Sequence, residues 1–326
     1  MNSPQLRDSD SWNVATSTPL LYSLVFGEEL ANMADERDDI LVLTADLMTS
    51  NRTSDFASRH PDRFYNLGIA EQNMVSVAAG LSTCGYIPYI STFASFASLL
   101  CAEQLRTDLA YTKAQVRVIA HHAGISMGFY GTSHHAVEDI AITRSIPGMT
   151  VCSAADAAAI RAILRTTVDH DGPVYIRLGR GREREVYASL PDLPFGTFIQ
   201  ARDGTDVTVI ATGIGVHAAV GAADALQADG LSVRVLDAAF LKPIDHGAIL
   251  RAAAETQGIL VVEEHSILGG LGGAVAEVLA TNGISTRLML HGIQDKYVLI
   301  APPMHLYRYY GFTAEGIIER LRKLLA

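Results

Sequence analysis

The feature that most constrains this chain is a repeated alternation. Short continuous apolar runs stop at polar or glycine residues, and each is followed by a longer stretch with helical spacing. Ile40 to Leu43 is the clearest case. It halts at Thr44-Ala45-Asp46, as a buried parallel strand halts at the rim of an α/β sheet. Further short strands are expected at Phe64 to Leu67, Pro88 to Thr92, Val116 to Ala120, Met149 to Cys152 and Val174 to Leu178. Between them, residues 70–84, 93–112 and 154–167 place small and apolar side chains at helical intervals. Strand and helix in strict succession predict a doubly wound parallel sheet.

The alternation breaks once and then resumes. Residues 182–203 lose periodicity and contain Pro191 and Pro194, so a linker is expected at 186–203. Beyond it, strands are expected at Val207 to Ala211, Val233 to Leu236 and Ile259 to Glu263. Gly213-x-Gly215 opens one helix, Gly269-Gly270 leads into another at Leu271 to Ala280, and Thr313 starts the last. The fold class is therefore α/β, with two doubly wound domains at 16–185 and 204–326 behind a flexible N-terminus at 1–15. Ser17-Thr18 with Pro19 suits the start of a first helix. A chain of 326 residues, 49% hydrophobic and 18% charged, has the length and apolar content for two cores.

Charge and composition exclude several function classes. The formal net charge is −10 and no Lys/Arg block occurs, which argues against a nucleic-acid partner. No apolar run approaches the ~20 residues of a membrane span. The N-terminal sequence lacks a basic then apolar leader pattern, so a cytoplasmic location is expected. Cys84, Cys101 and Cys152 form neither a CxxC pair nor an even framework, and read as buried free thiols.

Four groups of residues point to chemistry. Gly68-Ile69-Ala70-Glu71-Gln72-Asn73-Met74 sets a carboxylate in the first turn of an apolar helix. Such an acid is more often a dipole-stabilising residue. Buried, it becomes a group with a raised pKa, able to share a proton with a ring nitrogen. Phe93 and Phe96, three apart, share a helical face and read as core aromatics or as a stacking pocket. Tyr22 and Phe26 read as core or interface. His121, His122, His134 and His135 form a dense cluster. Adjacent histidines in an extended chain point apart, so metal binding is disfavoured against loop contacts. Arg177, Arg180, Arg182 and Arg184 are either a solvated cluster or a site for an anion.

These segments together resemble the transketolase family. NLGIAEQNM is similar to the glutamate motif of transketolases and deoxyxylulose-phosphate synthases. Thr44-Ala45-Asp46-Leu47 with Ser50-Asn51, Pro88 to Phe96, Gly131-Thr132-Ser133-His134 and Ser145-Ile146-Pro147 resemble further family segments in the same order. The resemblance implies thiamine diphosphate as cofactor. Glu71 takes the place of the glutamate that hydrogen-bonds the aminopyrimidine ring and favours its imino tautomer. Phe93 and Phe96 take the place of the aromatic pocket around that ring. His122 corresponds to a histidine contacting donor hydroxyls, and His134 to one that bonds the substrate oxygen near the reacting carbon. Arg180 corresponds to a phosphate-binding arginine, and Thr44 to a serine at the same end of the substrate.

Two departures qualify the resemblance. The family holds Mg²⁺ and diphosphate with a Gly-Asp-Gly…Asn segment, and no Gly-Asp-Gly occurs here. The expectation is a small subunit of a split transketolase, working as α₂β₂ with a diphosphate-binding α subunit that holds most of the Mg²⁺ site. Tyr130 stands where the family carries an aspartate that reads a sugar hydroxyl. The implied reaction is transfer of a two-carbon ketol unit from a ketose phosphate to an aldose acceptor. The alternatives are decarboxylative chemistry, as in deoxyxylulose-phosphate synthase or a 2-oxo acid dehydrogenase E1 β subunit, and a non-catalytic assembly subunit. In the C-terminal half, Glu263-Glu264-His265 before Gly269 to Gly273 sets a strand end against a helix N-terminus that suits an anion, although an interface role is the expectation.

Overall fold

Residues 22–180 and 185–326 are described by a computed structural model. The expected N-terminal arm at 1–15, the first-helix start at Ser17 to Pro19, and Arg182 and Arg184 lie outside the described residues. The described residues open with α1 (Tyr22–Glu36) and β1 (Ile40–Thr44). Next come α2 (Ser54–Arg59), β2 (Phe64–Asn66), α3 (Glu71–Thr83) and β3 (Ile87–Phe93). The helix expected over 93–112 forms in pieces, Phe96–Leu100, Ala102–Gln104 and Leu105–Ala110, of which the outer two are π-type turns. Widened turns of this kind gather at functional sites. β4 (Arg117–His121), α4 (Asp139–Ser145), β5 (Thr150–Ser153), α5 (Ala157–Thr167) and β6 (Val174–Arg177) complete the first unit.

The second unit runs β7 (Ile199–Arg202), β8 (Val207–Ala211), α6 (Ile214–Gln227), β9 (Val233–Asp237), β10 (Phe240–Lys242) and α7 (His246–Glu255). It continues with β11 (Ile259–Ser266), α8 (Leu271–Thr281), β12 (Leu288–Ile293), α9 (Pro303–Tyr310) and α10 (Ala314–Leu325). Local chemistry fixes several starts. Asp156 accepts from the Ala159 amide at 2.8 Å, Asp245 from Ala248 at 2.8 Å and Thr313 from Gly316 at 3.3 Å, each satisfying an orphan donor of its helix.

The first sheet has strand order β10-β5-β6-β4-β3-β1-β2, parallel except for β10. The second has order β12-β11-β8-β9-β7, parallel except for β7. Both are wound on two sides, as the sequence predicts. β1, β3, β4, β5 and β6 are buried along their whole length, as strands covered by helices on both faces must be.

Two elements cut across the expected partition. Ile199–Arg202, inside the stretch read as a linker, is an edge strand of the second sheet. Phe240–Lys242 leaves the second unit and pairs with β5 at the edge of the first sheet. Lys242 Nζ donates there to the carbonyls of Arg144 and Ile146. The three thiols are free, but only Cys101 and Cys152 are buried; Cys84 caps the end of α3 and is exposed. Among the described residues, no helix is long and apolar enough to cross a membrane.

Candidate active site

In an open α/β sheet, ligands collect where neighbouring strands send the chain in opposite directions, beyond the strands' C-terminal ends. In the first sheet that point lies between β1 and β3, because the chain leaves β1 for β2 on one side and returns as β3 on the other. Leu47, Ser50 and Arg52 follow β1, Phe93 ends β3, His122 follows β4 and Arg180 follows β6. With Met127, Tyr130 and His134 they line one cavity of about 380 Å³.

The backbone at this rim is held in sparsely populated conformations. Asp46, Arg52 and His122 all have φ near +60° (60°, 59° and 59°), a region non-glycine residues seldom occupy. Such residues cluster at binding sites because the surrounding packing over-determines them. The loop from His122 to Ala136 is closed by paired bonds, Gly124 N to Ala136 O at 3.0 Å and Ala136 N to Gly124 O at 2.9 Å. Glu264 of β11 buttresses it by accepting from Ile125 N at 2.7 Å. A Cβ on Gly124 would sit 2.3 Å from that carboxyl carbon, so the second unit supports the site only with glycine here.

The aromatic and histidine rings interlock. Phe93 stacks on Phe96 with centroids 5.6 Å apart and 28° between planes. His122 lies 4.4 Å from Phe93, and His134 lies 5.7 Å from Phe93, 5.4 Å from Phe96 and 4.7 Å from Tyr130. Burial pushes His122 well below the ordinary imidazole range, with the charges of neighbouring histidines and of Arg180 and Arg52 adding to it. Burial also lowers His134. Both rings are therefore neutral near pH 7, acting as hydrogen-bonding groups. Buried polar atoms of Asn51, Ser91, Thr92, Ser95, His121 and the Nδ1 of His122 have no partner among the described residues. Of these residues only His122 lines the cavity; the others lie buried behind it.

Glu71 opens α3 after a turn at Gly68, whose φ of 72° that residue tolerates without strain. Asn66 ties this turn to the loop after β1, its Oδ1 accepting from both Gly68 N and Asp46 N at 3.0 Å. Glu71 is 8% exposed and faces a smaller cavity of about 240 Å³, shared with Ile69, Ala70, Gln72, Asn73 and Leu100. Gln72 Nε2 donates to Leu100 O at 2.9 Å, which ties the first turn of α3 to the end of the Phe96–Leu100 turn. Burial and the Glu71 charge push the Cys101 thiol up to about 12, which leaves it inert. Around Glu71, Ile69, Leu99 and Leu100 are exposed by half or more.

Several sequence expectations are redistributed. Thr44 does not line the cavity. It is fully buried, its hydroxyl donating to Ser91 O at 3.4 Å and accepting from Leu47 N at 3.3 Å. Ser50 and Arg52, a few residues on, reach the cavity instead. The arginine cluster also divides. Arg177 is buried and bonded to Asp139 at 2.9 Å, whereas Arg180 is over the ring of Phe129 at 4.8 Å. His121 is sealed behind the site against Phe26, and His135 bonds Gly128 O at 3.3 Å. The helix N-terminus of α8, which by its position suits an anion, is occupied from within, because Glu263 accepts from Leu271 N at 2.7 Å and Gly272 N at 2.9 Å. Among the described residues no group of three or more His, Cys, Asp or Glu is arranged to hold a metal.

The fold and the sequence are shared with known proteins. Residues 19–185 match the transketolase pyrimidine-binding domain and residues 196–317 the transketolase C-terminal domain. The chain therefore belongs to the transketolase family. Within it, the extent matches that of split forms. It is 40% identical to a putative transketolase C-terminal section of Methanocaldococcus jannaschii over 91% of this chain and 93% of that protein. It is 37% identical to an apulose-4-phosphate transketolase subunit of Phocaeicola vulgatus, covering 90% and 94%. A solved split-gene transketolase, described as an inactive β4 tetramer, superposes with a TM-score of 0.84 at 42% identity, covering 94% of this chain and 99% of that one. A 1-deoxy-D-xylulose-5-phosphate synthase of Syntrophotalea carbinolica is 34% identical, but the chain spans only 48% of its length.

Proposed function

We propose that this chain is the β subunit of a thiamine-diphosphate-dependent split transketolase. It would join an α subunit that binds diphosphate and Mg²⁺, as α₂β₂, to move a two-carbon ketol unit from a ketose phosphate to an aldose. The observation that carries the reading is the convergence of Phe93, Phe96, His122, His134, Tyr130 and Arg180 at the sheet switch point, with Glu71 buried in a separate small cavity at the start of α3. The exposed apolar rim of Ile69, Leu99 and Leu100 around Glu71 supports a covering partner.

The residues fit the cofactor's pyrimidine end. Thiamine diphosphate, when bound, supplies the nucleophilic carbon and the electron sink for carbon–carbon cleavage. Glu71 holds a hydrogen bond at a ring nitrogen of the aminopyrimidine and fixes its tautomer, shielded from water by the partner. Phe93 and Phe96 offer an apolar platform for the ring. Neutral His122 and His134 orient donor hydroxyls and bond the oxygen on which charge develops. Arg180 takes the sugar's anionic end. Tyr130 replaces a charged hydroxyl reader with a half-exposed aromatic, which favours a donor with one fewer polar contact. Thr44 holds the turn to Leu47, and Ser50 takes the substrate contact that the family resemblance gives to Thr44.

The test is reconstitution. The chain is mixed with a Gly-Asp-Gly-containing partner, thiamine diphosphate, Mg²⁺ and a panel of ketose phosphates. Ketol transfer by the mixture and by neither protein alone is the expected result. Transfer by the isolated chain overturns the split-subunit reading. Decarboxylation of a 2-oxo acid without ketol transfer favours the synthase-like alternative.

A further inference from the structure

We infer that Ile300, in the second unit, is a positioning residue for His134, acting through the turn at Gly131. The kinetic consequence rests on the transketolase reading; the positioning itself does not.

The loop between β4 and α4 is built into the second unit. Ile125 and Val137, near its two ends, belong to the same apolar cluster as Val298, Leu306 and Tyr307. The tip of the loop is gripped from the same side. Gly128 O accepts from Ala301 N at 3.3 Å, and the Nε2 of His135 lies 3.3 Å from the same oxygen. A Cβ on Gly128 would collide with Ala301 O and with Leu306 Cδ1, so the two segments meet backbone to backbone only because this residue is glycine.

Ile300 grips the next glycine. Gly131 turns at φ 74°, and a Cβ there would lie 2.9 Å from Ile300 Cδ1 and 3.3 Å from Ile300 Cγ1. Gly131 O in turn accepts from His134 N at 2.9 Å and from His135 N at 3.1 Å. A displacement of Gly131 is thus passed directly to the backbone of His134, whose ring lines the sugar cavity. The gripping segment is itself held. Leu299 N donates to the Tyr310 hydroxyl oxygen at 3.0 Å, and Pro302 and Pro303 fix the start of α9. Ile300 is 68% exposed, so its side chain adds little to the core and its contact with Gly131 can be removed without unfolding the loop. A misplacement of about 1 Å in a group that orients substrate can cost about a hundredfold in rate, which gives a small contact of this kind a measurable effect.

The first arm of the test uses the full chain alone, with isotope-labelled histidine rings. His134 sits among the rings of Phe93, Phe96 and Tyr130, so its resonances report its place. Ile300→Ala should move them and Ile300→Val should restore most of the wild-type position, while His170, stacked on Phe195, stays put. Unmoved His134 resonances in Ile300→Ala overturn the inference, whether or not the chain serves a transketolase. The second arm uses the reconstituted complex. Ile300→Ala should lower kcat/KM about tenfold in the wild-type background and less than about threefold in His134→Ala, because one residue acts through the other. Ile300→Val should keep most of the activity. Equal fold losses in the two backgrounds, or no loss in either, contradict the inference. A complex without ketol transfer counts against the transketolase reading, and the first arm then decides the positioning by itself.

Discussion

The imidazole of His122 lies 4.4 Å from the ring of Phe93, on a backbone turned to φ 59° and with a buried Nδ1 that no described residue partners. A histidine so placed contributes little to stability and is available to a ligand. Substitution by asparagine, which tolerates this backbone, should lower kcat/KM of the reconstituted enzyme by about a hundredfold. The melting temperature of the isolated chain should change by only a few degrees. Steady-state kinetics beside a thermal melt check both halves of this expectation.

Behind it, burial drives His121 down to about 3. The folded chain keeps this ring neutral while the unfolded chain protonates it below about 6.5. Stability contributed by neutrality is thus full above pH 6.5 and is lost as pH falls toward 3, at about 1.4 kcal/mol per unit. His121→Phe should flatten the acid side of the stability profile, read from denaturant midpoints at pH 7 and 4.5. An equally steep loss in the variant would count against the assignment.

Asp237 works in the opposite direction. Burial raises it to about 8, partly offset by the Tyr187 hydroxyl that donates to it at 2.8 Å. The folded state then holds a proton that the unfolded chain releases near pH 4, so stability falls as pH rises from about 4 to 8. Asp237→Asn should be more stable than wild type at pH 8, with a smaller difference between pH 5 and pH 8 in thermal melts.

The Arg177–Asp139 pair is buried on both sides, and Arg177 also donates to the carbonyls of Ala136 at 3.2 Å and Glu264 at 2.8 Å. It thereby joins the loop carrying His122 and His134 to the second unit. Removing one charge strands the other, and Asp139→Ala should cost about 3–5 kcal/mol in chemical denaturation. A loss below about 1 kcal/mol would show that the pair does not anchor the two units.

Much of the fold and of the candidate site's lining is legible in the sequence, and what is not has physical causes. The buried strands announce themselves because both faces must be apolar, and Glu71 stands out because a carboxylate follows a strand, a glycine turn and an apolar run. Thr44 and Ser50 are both hydroxyl residues in one motif, and only the packing of Thr44 under Ser91 decides which reaches the cavity. Arg177 and Arg180 lie three apart, but one still belongs to β6 and turns inward while the other has passed the rim. β10 is three residues long and is stabilised by a strand of the other unit, so nothing local marks it. Arg52 carries no pattern of its own, because its place on the cavity wall depends on a left-handed turn held by a distant helix.

Glu71 carries the central claim, that this chain supplies the carboxylate acting on the pyrimidine ring. The most direct measurement is single-turnover ketol transfer by the reconstituted complex with wild type and Glu71→Gln at saturating thiamine diphosphate. The account predicts a rate lowered by about 10²- to 10⁴-fold while the subunits still assemble. A rate within a few-fold of wild type, in a fully assembled complex, would contradict it.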